Sequence, residues 1–465
     1  MQYKKNDRAT VVIEDINHLG FGVGHLDGLA VFVSDTVMGD ECEITLIKVN
    51  KNYAVGKLVR LVRASNSRVS PRCDGRSCRA CAYRCISYQD ELSIKENSVR
   101  MAFRKAGLYD AVVNPIVPSP RELGYRNKAQ YPVSLTEGSD YRIGFYAPKS
   151  HRVLEAADCP LSHSEFTPIL ETVRAHLKKH AVSVYDETAG RGLLRHIYLR
   201  RGEVSGEILL TLVLTEERIT AEDALVRAIT SAHPEVVGIL ININTEDTNV
   251  ILGDRYRTLW GRDHIRDTLS GVELSLSAPA FYQVNHDAAE LLYAKAKQEA
   301  RLTGTELLLD LYSGVGSIGL SMADGVRELI GIEIVESAVT CAKENARRSG
   351  IDNASFFAAD ATNTESILKI AETERGSSIR PDVVVLDPPR KGCSESLLRF
   401  IATLSPSRIV YISCNPETLA RDCAVLLPLG YTLGSVTPFD LFPMTGHVES
   451  VVCLTRGFDN ELPLA

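Results

Sequence analysis

The chain has 465 residues, of which 45% are hydrophobic and 24% are charged. This composition is typical of a folded protein with two or three domains, and it excludes a largely disordered chain. No apolar run approaches the roughly 18 to 20 residues of a membrane span, and the first residues lack the apolar core of a secretion signal. We therefore expect a cytoplasmic protein that does not enter a membrane.

The net charge is -7 at pH 7, but the charges are distributed unevenly. Residues 51–130 contain 16 Lys and Arg against 6 Asp and Glu. A basic region on an acidic protein can bind RNA or DNA, although solvated surface charge would give the same counts. Composition alone leaves both interpretations open.

Residues 9–63 read as short strands separated by glycines, as in ATVVIEDI, LAVFVSDTV and GDECEITLIKV. Alternating apolar residues with glycine at the turns predict a small antiparallel β-barrel of the kind that binds oligonucleotides. Helical apolar spacing follows at residues 88–107, and residues 117–270 are richer in strand patterns than in helical ones.

From about residue 285 the pattern changes to a regular alternation of strands and helices. The strand candidates are ELLLDLYS, ELIGIEIV, ASFFAAD, DVVVLDPP and RIVYISC. This order predicts an α/β fold with a parallel, doubly wound sheet and ligands at the carboxyl ends of its strands. Two further strand patterns, in YTLGSVTPFDLF and HVESVVCLT, predict a closing hairpin.

The turns after these strands carry candidate cofactor ligands. Gly314 and Gly316 allow a sharp turn after the first strand, and Glu333 ends the second strand, where it could hold ribose hydroxyls. Asp360 follows the third strand, where it could accept from an adenine amino group. Two ordered acids without a phosphate-binding lysine favour an adenosine ligand, although each acid alone would more often be a surface carboxylate. Asp387 ends the fourth strand before two prolines, which hold it rigidly.

Cys414 stands where the fifth strand stops and is followed by Asn415 and Pro416. A cysteine is often a small buried hydrophobe, and that reading needs no function. The alternative is a nucleophile at the edge of a cleft. If the last strand pairs antiparallel with the fifth, its first residue, Glu449, lies near Cys414, which pairs a possible nucleophile with a possible base.

As a set, DLYSGVG, DPPRKG, SCNP, GHVES and FYQVN resemble the motifs of RNA uracil-5-methyltransferases, over nearly the whole chain and in the same order. The resemblance implies a Rossmann-like class I methyltransferase domain that uses S-adenosylmethionine. It also implies that Cys414 adds to carbon 6 of uracil and that Glu449 removes the proton from carbon 5. The residues that it places around the cofactor are Gln283, Tyr312, Gly314, Gly316, Ser317, Glu333, Asp360 and Asp387. His447 is expected to support the site rather than act as the base.

Four of the eleven cysteines lie in CDGRSCRACAYRC, and a fifth, Cys159, lies in DCP. Without a secretion signal, such a group favours metal ligands over disulfides, and its spacing suits zinc or an iron-sulfur cluster. The ribosomal RNA branch of the family resembles this chain here. That resemblance implies a [4Fe-4S] cluster, with Cys85 as the alternative to the first ligand. The implied ligands are Cys73, Cys78, Cys81 and Cys159.

The resemblance divides the chain into three parts. Residues 1–64 resemble the TRAM RNA-binding domain, residues 65–84 and 117–270 would form an α+β iron-sulfur domain, and residues 85–116 and 271–465 would form the catalytic domain. The expected partner is large-subunit ribosomal RNA, bound by a monomer. Three alternatives stay open: methylation of transfer RNA at uracil, methylation of RNA at cytosine carbon 5, and a non-catalytic RNA-binding assembly factor.

Overall fold

The structure is a computed structural model that describes residues 3–17, 19–73, 78, 80–361 and 379–457. Most of the stretch between the predicted ligands Cys73 and Cys81 therefore lies outside the described residues. The strands form four sheets that follow one another in chain order. None of the helices in these ranges has the length and apolar character that crossing a membrane requires.

The first sheet holds the amino-terminal strands. They are β1 (Arg8–Val12), β2 (Asp15–Ile16), β3 (Gly22–Leu26), β4 (Leu29–Val33), β5 (Glu41–Val49) and β6 (Tyr53–Arg63). The order is β1-β5-β6-β4-β3-β2. Four of the five pairings are antiparallel as predicted, but β4 and β6 pair in parallel. The prediction of a wholly antiparallel barrel is wrong there, because β6 pairs with β5 on one side and β4 on the other.

Helix α1 (Tyr88–Lys105) leads into the central sheet. That sheet has the order β13-β12-β11-β10-β7-β8-β9 and is antiparallel except for β11 and β12. Helices α2 and α3 pack against each other beside it. The elements are β7 (Lys128–Leu135), β8 (Tyr141–Tyr146), β9 (Val153–Glu155), α2 (Phe166–Lys179), β10 (Leu194–Arg201), β11 (Ile208–Leu214), α3 (Glu222–Ala232), β12 (Val236–Ile243) and β13 (Arg255–Gly261).

A two-stranded hairpin joins the central sheet to the last one. It consists of β14 (His264–Leu269) and β15 (Val272–Ser277) and is followed by α4 (His286–Ala300). The boundary expected between residues 270 and 271 falls in the turn of this hairpin.

The carboxyl-terminal sheet has the order β18-β17-β16-β19-β20-β23-β21, with β22 also paired to β23. Its first five strands are parallel and are those predicted from the sequence, so the doubly wound α/β prediction is confirmed. The elements are β16 (Leu307–Leu311), α5 (Ser317–Ser321), β17 (Glu328–Glu333), α6 (Glu336–Arg348), β18 (Ala354–Ala358), β19 (Val383–Leu386), α7 (Glu395–Leu404), β20 (Arg408–Ser413), α8 (Pro416–Leu426), β21 (Tyr431–Leu433), β22 (Thr437–Phe439) and β23 (Glu449–Arg456).

Candidate active site

The turn after β16 is shaped by residues with positive φ. Tyr312, Gly314 and Gly316 have φ values of 68°, 55° and 81°. A Cβ on Gly316 would lie 2.9 Å from the ring of Phe356, so this position requires glycine both for its φ and for space. The turn leads directly into α5 at Ser317, whose Oγ lies 3.0 Å from the hydroxyl of Tyr293.

The acids after β17 and β18 lie beside this turn. Glu333 accepts hydrogen bonds from the backbone N–H of Gly314 at 3.0 Å and of Val335 at 2.9 Å. Burial raises the pKa of Tyr312, and the charges of Cys393 and Asp360 raise it further. The backbone N–H of Ala359, the residue before Asp360, donates to the carbonyl of Glu333 at 2.9 Å. The structure thus brings the two acids and the turn together at one edge of the sheet.

Cys414 and Glu449 lie at the same end of two paired strands. Strands β20 and β23 are antiparallel, and Ser413 lies opposite Ser450. Cys414 follows Ser413 and Glu449 precedes Ser450, so the pairing expected from the sequence is observed. Asp387, at the end of the neighbouring β19, influences the pKa values of both groups.

The electrostatics of this group favour its protonated forms. Burial raises the pKa of Cys414 to about 11, and the charges of Glu449 and Asp387 add to the rise. Burial also raises the pKa of Asp387 to about 7 and holds the pKa of Glu449 well above its usual value. The free protein therefore holds Cys414 as a thiol at neutral pH, so a nucleophilic role requires a base to take its proton.

Asn415 and Pro416 explain why the chain turns sharply after the cysteine. The Asn415 side chain accepts from the backbone N–H of Glu417 at 3.1 Å and so caps α8, whose first residue is Pro416. The same side chain donates to the backbone carbonyl of Arg390 at 3.0 Å. Asn415 therefore fixes the Cys414 turn to the loop that follows Asp387.

Arg390 is the nearby cation. Its charge lowers the pKa values of both Cys414 and Glu449, against the effect of burial. Its Nη2 lies 3.3 Å from Nε2 of His447, which places His447 beside Arg390. Arg390 thus favours the thiolate form of Cys414 and the carboxylate form of Glu449.

We expect Arg390→Gln to shift the pH profile of turnover to higher pH. Loss of the positive charge raises the pKa of Cys414, so less thiolate forms at a given pH. Because the side chain is exposed, the expected shift is about half a pH unit, or roughly threefold in kcat/KM near pH 7. The measurement is kcat/KM between pH 6.5 and 9, with Lys391→Gln in the same loop as the control. An identical profile for both variants would contradict this role.

The segment from Asp440 to Glu449 is anchored by a buried lysine on α1. Nζ of Lys95 donates to Glu91 and to Asp440, each at 2.6 Å, and to the carbonyl of Phe442 at 3.1 Å. Glu91 also accepts from the backbone N–H of Met444 at 2.7 Å. Lys95 is 1% exposed. One buried cation therefore fixes the loop that leads to the candidate base.

We expect Lys95→Met to destabilise the protein and slow proton removal. The change leaves two buried carboxyl groups without their cation, which costs about 3 kcal/mol in the free energy of unfolding. Because the loop then loses its anchor, Glu449 should be displaced. If Glu449 is the base that the family resemblance implies, a covalent protein–RNA adduct should then accumulate on ordinary RNA. Denaturant unfolding and denaturing gels measure the two effects. Lys105→Met removes an exposed lysine from the same helix and should change neither. Normal turnover in Lys95→Met would contradict the anchoring role.

The FYQVN segment reaches the site from the start of α4. Asn285 caps α4 and donates to the carbonyl of Leu441 at 3.0 Å, so the segment is tied to the loop before Glu449. Gln283 is 8% exposed, and its carbonyl accepts from Nδ2 of Asn127 at 2.9 Å. Phe281 is 63% exposed. An aromatic ring left in solvent beside a buried segment is a candidate surface for stacking a base.

The predicted cluster ligands share one cavity of ≈ 600 Å³. Cys73, Cys78, Cys81 and Cys159 all line it, together with Arg84, Arg126 and Met444. Burial and then the other three thiols raise the pKa of Cys81 to about 12, as expected for neighbouring sulfurs. Cys85 is buried instead against the amino-terminal barrel, with Tyr83 and Ile86. Within the described ranges, no three Cys, His, Asp or Glu side chains are arranged to hold a metal ion.

The sequence is similar to known proteins along almost its whole length. Residues 248–457 match the family described as tRNA (Uracil-5-)-methyltransferase, and residues 4–59 match the TRAM domain. An uncharacterized RNA methyltransferase of Clostridium acetobutylicum is 38% identical over 97% of this chain and 98% of its own. The chain belongs to the RNA uracil-5-methyltransferase family. A second uncharacterized RNA methyltransferase of this kind, from Halalkalibacterium halodurans, is also 38% identical, over 97% of both chains.

A solved structure of the family has the same arrangement. The tRNA (uracil-54, C5)-methyltransferase of Pyrococcus abyssi, in complex with S-adenosyl-L-homocysteine, superposes with a TM-score of 0.76. The two sequences are 26% identical, and the superposition covers 99% of the Pyrococcus abyssi chain and 96% of this chain. The class I methyltransferase fold and the TRAM domain expected from the sequence are therefore confirmed.

Sequence reasoning missed several residues of this candidate site. Lys95 and Glu91 lie four residues apart on the apolar face of α1, next to Leu92 and Val99, and a charged pair on such a face signals a buried ion pair. Phe281 is the first residue of FYQVN, but nothing in the sequence showed that its ring is exposed. Asp440 and Phe442, the other partners of Lys95, lie far away in the sequence, so those contacts follow only from the fold.

Proposed function

We propose that this protein methylates carbon 5 of uracil in RNA, with Cys414 as the nucleophile and Glu449 as the base. The observation that carries the proposal is the position of both groups at one end of the paired strands β20 and β23. A thiol and a carboxyl beside each other, with a second carboxyl at Asp387, supply the nucleophile and the two proton acceptors that the reaction needs.

The proposed cofactor is S-adenosylmethionine, which supplies the methyl group when it is bound. Among the described residues, no atom beyond the chain neighbours of Gly314 lies within 4 Å of where a Cβ on it would stand, which leaves space beside the turn. Glu333 and Asp360 offer carboxylate oxygens to hydroxyl and amino groups. Support also comes from the Pyrococcus abyssi relative, whose structure holds the demethylated product. The proposed ligands are Gln283, Tyr312, Gly314, Gly316, Ser317, Glu333, Asp360 and Asp387.

The proposed chemistry begins with Cys414. Asp387, with a pKa of about 7, accepts the thiol proton as sulfur forms a bond to carbon 6 of uracil. The electron pair moves to carbon 5 and makes it nucleophilic. After methylation, Glu449 in its ionised form, which the charge of Arg390 favours, takes the proton from carbon 5 and later releases it to solvent. The carbon–sulfur bond breaks, and Cys414 leaves as a thiolate that regains its proton from Asp387.

The proposed substrate is a uridine of large-subunit ribosomal RNA. The TRAM domain and the exposed ring of Phe281 offer binding surfaces, and a uridine in a folded RNA has to be turned out of its stack to reach Cys414. The four cysteines on one cavity favour the ribosomal RNA branch. Transfer RNA is the second candidate, because the Pyrococcus abyssi relative is a transfer RNA methyltransferase.

The test is to incubate the protein with S-adenosylmethionine and unmodified transcripts of bacterial 23S ribosomal RNA or transfer RNA. Nucleosides are then identified by mass spectrometry. The proposal expects 5-methyluridine, in the ribosomal transcript first. Product in transfer RNA alone would support the second candidate, 5-methylcytidine would favour the cytosine enzyme, and binding without any methylated product would favour the assembly factor.

We further propose a [4Fe-4S] cluster on Cys73, Cys78, Cys81 and Cys159. The fit rests on one cavity lined by four thiols and by guanidinium groups that would offset the negative charge of such a cluster. Because Cys85 lies in the core of the barrel, Cys73 is preferred as the first ligand. When bound, the cluster would join residues 73–81 to Cys159, a structural role.

This second proposal has its own chemical test. Protein purified without oxygen is expected to contain iron and acid-labile sulfide in equal amounts, and Cys159→Ser should lose both while Cys85→Ser keeps them. Zinc without sulfide would contradict it.

We also propose that residues 1–64, 65–84 with 117–270, and 85–116 with 271–465 act as the barrel, the central domain and the catalytic domain of a monomer. Light scattering of the pure protein tests the monomer, and a stable dimer would contradict it.

A further inference from the structure

Lys128 is a half-buried cation beside two other cations. It begins β7, directly opposite Arg200 on β10, and the charge of Arg126, two residues earlier, acts on it. Burial, then Arg200 and Arg126, lower the pKa of Lys128 to about 8. Among the described residues, none forms a hydrogen bond or ion pair with its ammonium group. Lys128 therefore lies beside two other positive charges and has no anionic partner of its own among the described residues.

The two neighbouring guanidinium groups, unlike Lys128, have partners within the protein. Arg200 is 1% exposed and donates to the carbonyl of Ser277 at 2.9 Å and to the carbonyl of Ala280. Arg126 lies over the ring of Tyr125 at 5.8 Å and lines the cysteine cavity. The thiols of that cavity act on Arg126 but not on Lys128, so the cavity does not account for the third cation.

A lysine that serves only to keep a protein surface hydrated would lie apart from other positive charges. Here a neutral residue would avoid both the desolvation of the ammonium group and its repulsion by Arg126 and Arg200. The position therefore fits a cation that gains its partner when a ligand binds.

The location of Lys128 indicates which ligand that is. Asn127, the residue before it, donates its backbone N–H to the carbonyl of Val284 at 3.0 Å and its side-chain amide to the carbonyl of Gln283. Arg200, opposite Lys128, holds Ala280, the residue before the exposed Phe281. Lys128 is thus fixed beside the segment whose aromatic ring faces solvent.

We propose that Lys128 binds a backbone phosphate of the RNA next to the nucleotide that enters the active site. This proposal rests on the proposed function, because the anion is taken to be part of the RNA substrate. The ammonium group donates to the phosphate oxygens, and Arg126 and Arg200 strengthen the local positive potential.

The test compares Lys128→Gln, Lys128→Arg and a control, Lys179→Gln, which removes an exposed lysine at the end of α2. The probe is an unmodified transcript of bacterial 23S ribosomal RNA, with affinity measured from 0.05 to 0.3 M KCl. Lys128→Gln should weaken binding roughly tenfold and reduce the slope of log K against log salt by about 0.7, the value for one phosphate of a single strand. Lys128→Arg should retain most of the affinity, and the control should match wild type.

Two further readouts identify the source of the anion. At saturating RNA, kcat of Lys128→Gln should stay near wild type while KM rises, and binding of S-adenosylmethionine alone should not change. An unchanged salt slope in Lys128→Gln would overturn the proposal. If that variant also binds S-adenosylmethionine more weakly, the anion bound by Lys128 would be the carboxylate of the cofactor instead. If wild type binds the transcript but makes no methylated base, the proposed function fails, while the salt slope still decides the role of Lys128.

Discussion

Cys414→Ala is expected to lose 5-methyluridine formation, by roughly 10⁴-fold or more, while S-adenosylmethionine still binds. Without sulfur at this position no group can add to carbon 6, and carbon 5 of uracil stays a poor nucleophile. The side chain is only partly buried, so its truncation should leave the fold intact. Turnover is measured with the RNA that wild type methylates, and cofactor binding by calorimetry.

The matched control for this variant is Cys341→Ala. Cys341 is also partly buried, lies on α6 and has a pKa raised by burial alone. It should retain full turnover. Measurable turnover by Cys414→Ala would remove the nucleophile assignment, and equal losses in both variants would show a general sensitivity of the fold.

Glu449→Gln is expected to stop the reaction after methyl transfer. The amide keeps the shape of the side chain but cannot accept the carbon 5 proton, so Cys414 cannot leave. Turnover should fall by roughly 10² to 10⁴-fold, and a methylated protein–RNA adduct should accumulate on ordinary uridine. Denaturing gels and mass spectrometry of the trapped peptide measure the adduct.

Glu417→Gln is the control for the second variant, since Glu417 is an exposed acid in the first turn of α8, close in sequence to Cys414. It should form no stable adduct. Normal turnover in Glu449→Gln would remove the base assignment. Loss of turnover without an adduct would mean that Glu449 acts before carbon 6 is attacked.

The sheet that builds the active site could be predicted from the sequence because its strands are short, apolar and followed by distinctive turns. Each of the five parallel strands ends in a residue with a polar or conformational role, such as Glu333, Asp387 or Cys414. The antiparallel insertion of β23 was predicted as well, and it brings Glu449 opposite the end of β20. Such features follow from local patterns and from the rules of sheet connection.

Other parts of the site could not be predicted, because they depend on contacts between residues far apart in the chain. Lys95 meets Asp440 across 345 positions, and neither residue signals the other. The parallel pairing of β4 with β6 depends on the long β6 strand, which pairs with both β4 and β5. The cysteine spacing indicated a metal site, but iron and zinc accept the same thiolates, so the spacing alone does not identify the metal.

The most direct test of the central claim uses total bacterial RNA that contains 5-fluorouridine. Fluorine cannot be removed as a proton, so an enzyme that attacks carbon 6 and methylates carbon 5 remains bound to its target. With S-adenosylmethionine present, we expect a denaturation-resistant adduct that is absent from Cys414→Ala, and sequencing of the trapped RNA would identify the methylated position. The absence of an adduct with RNA that wild type methylates would contradict covalent catalysis by Cys414.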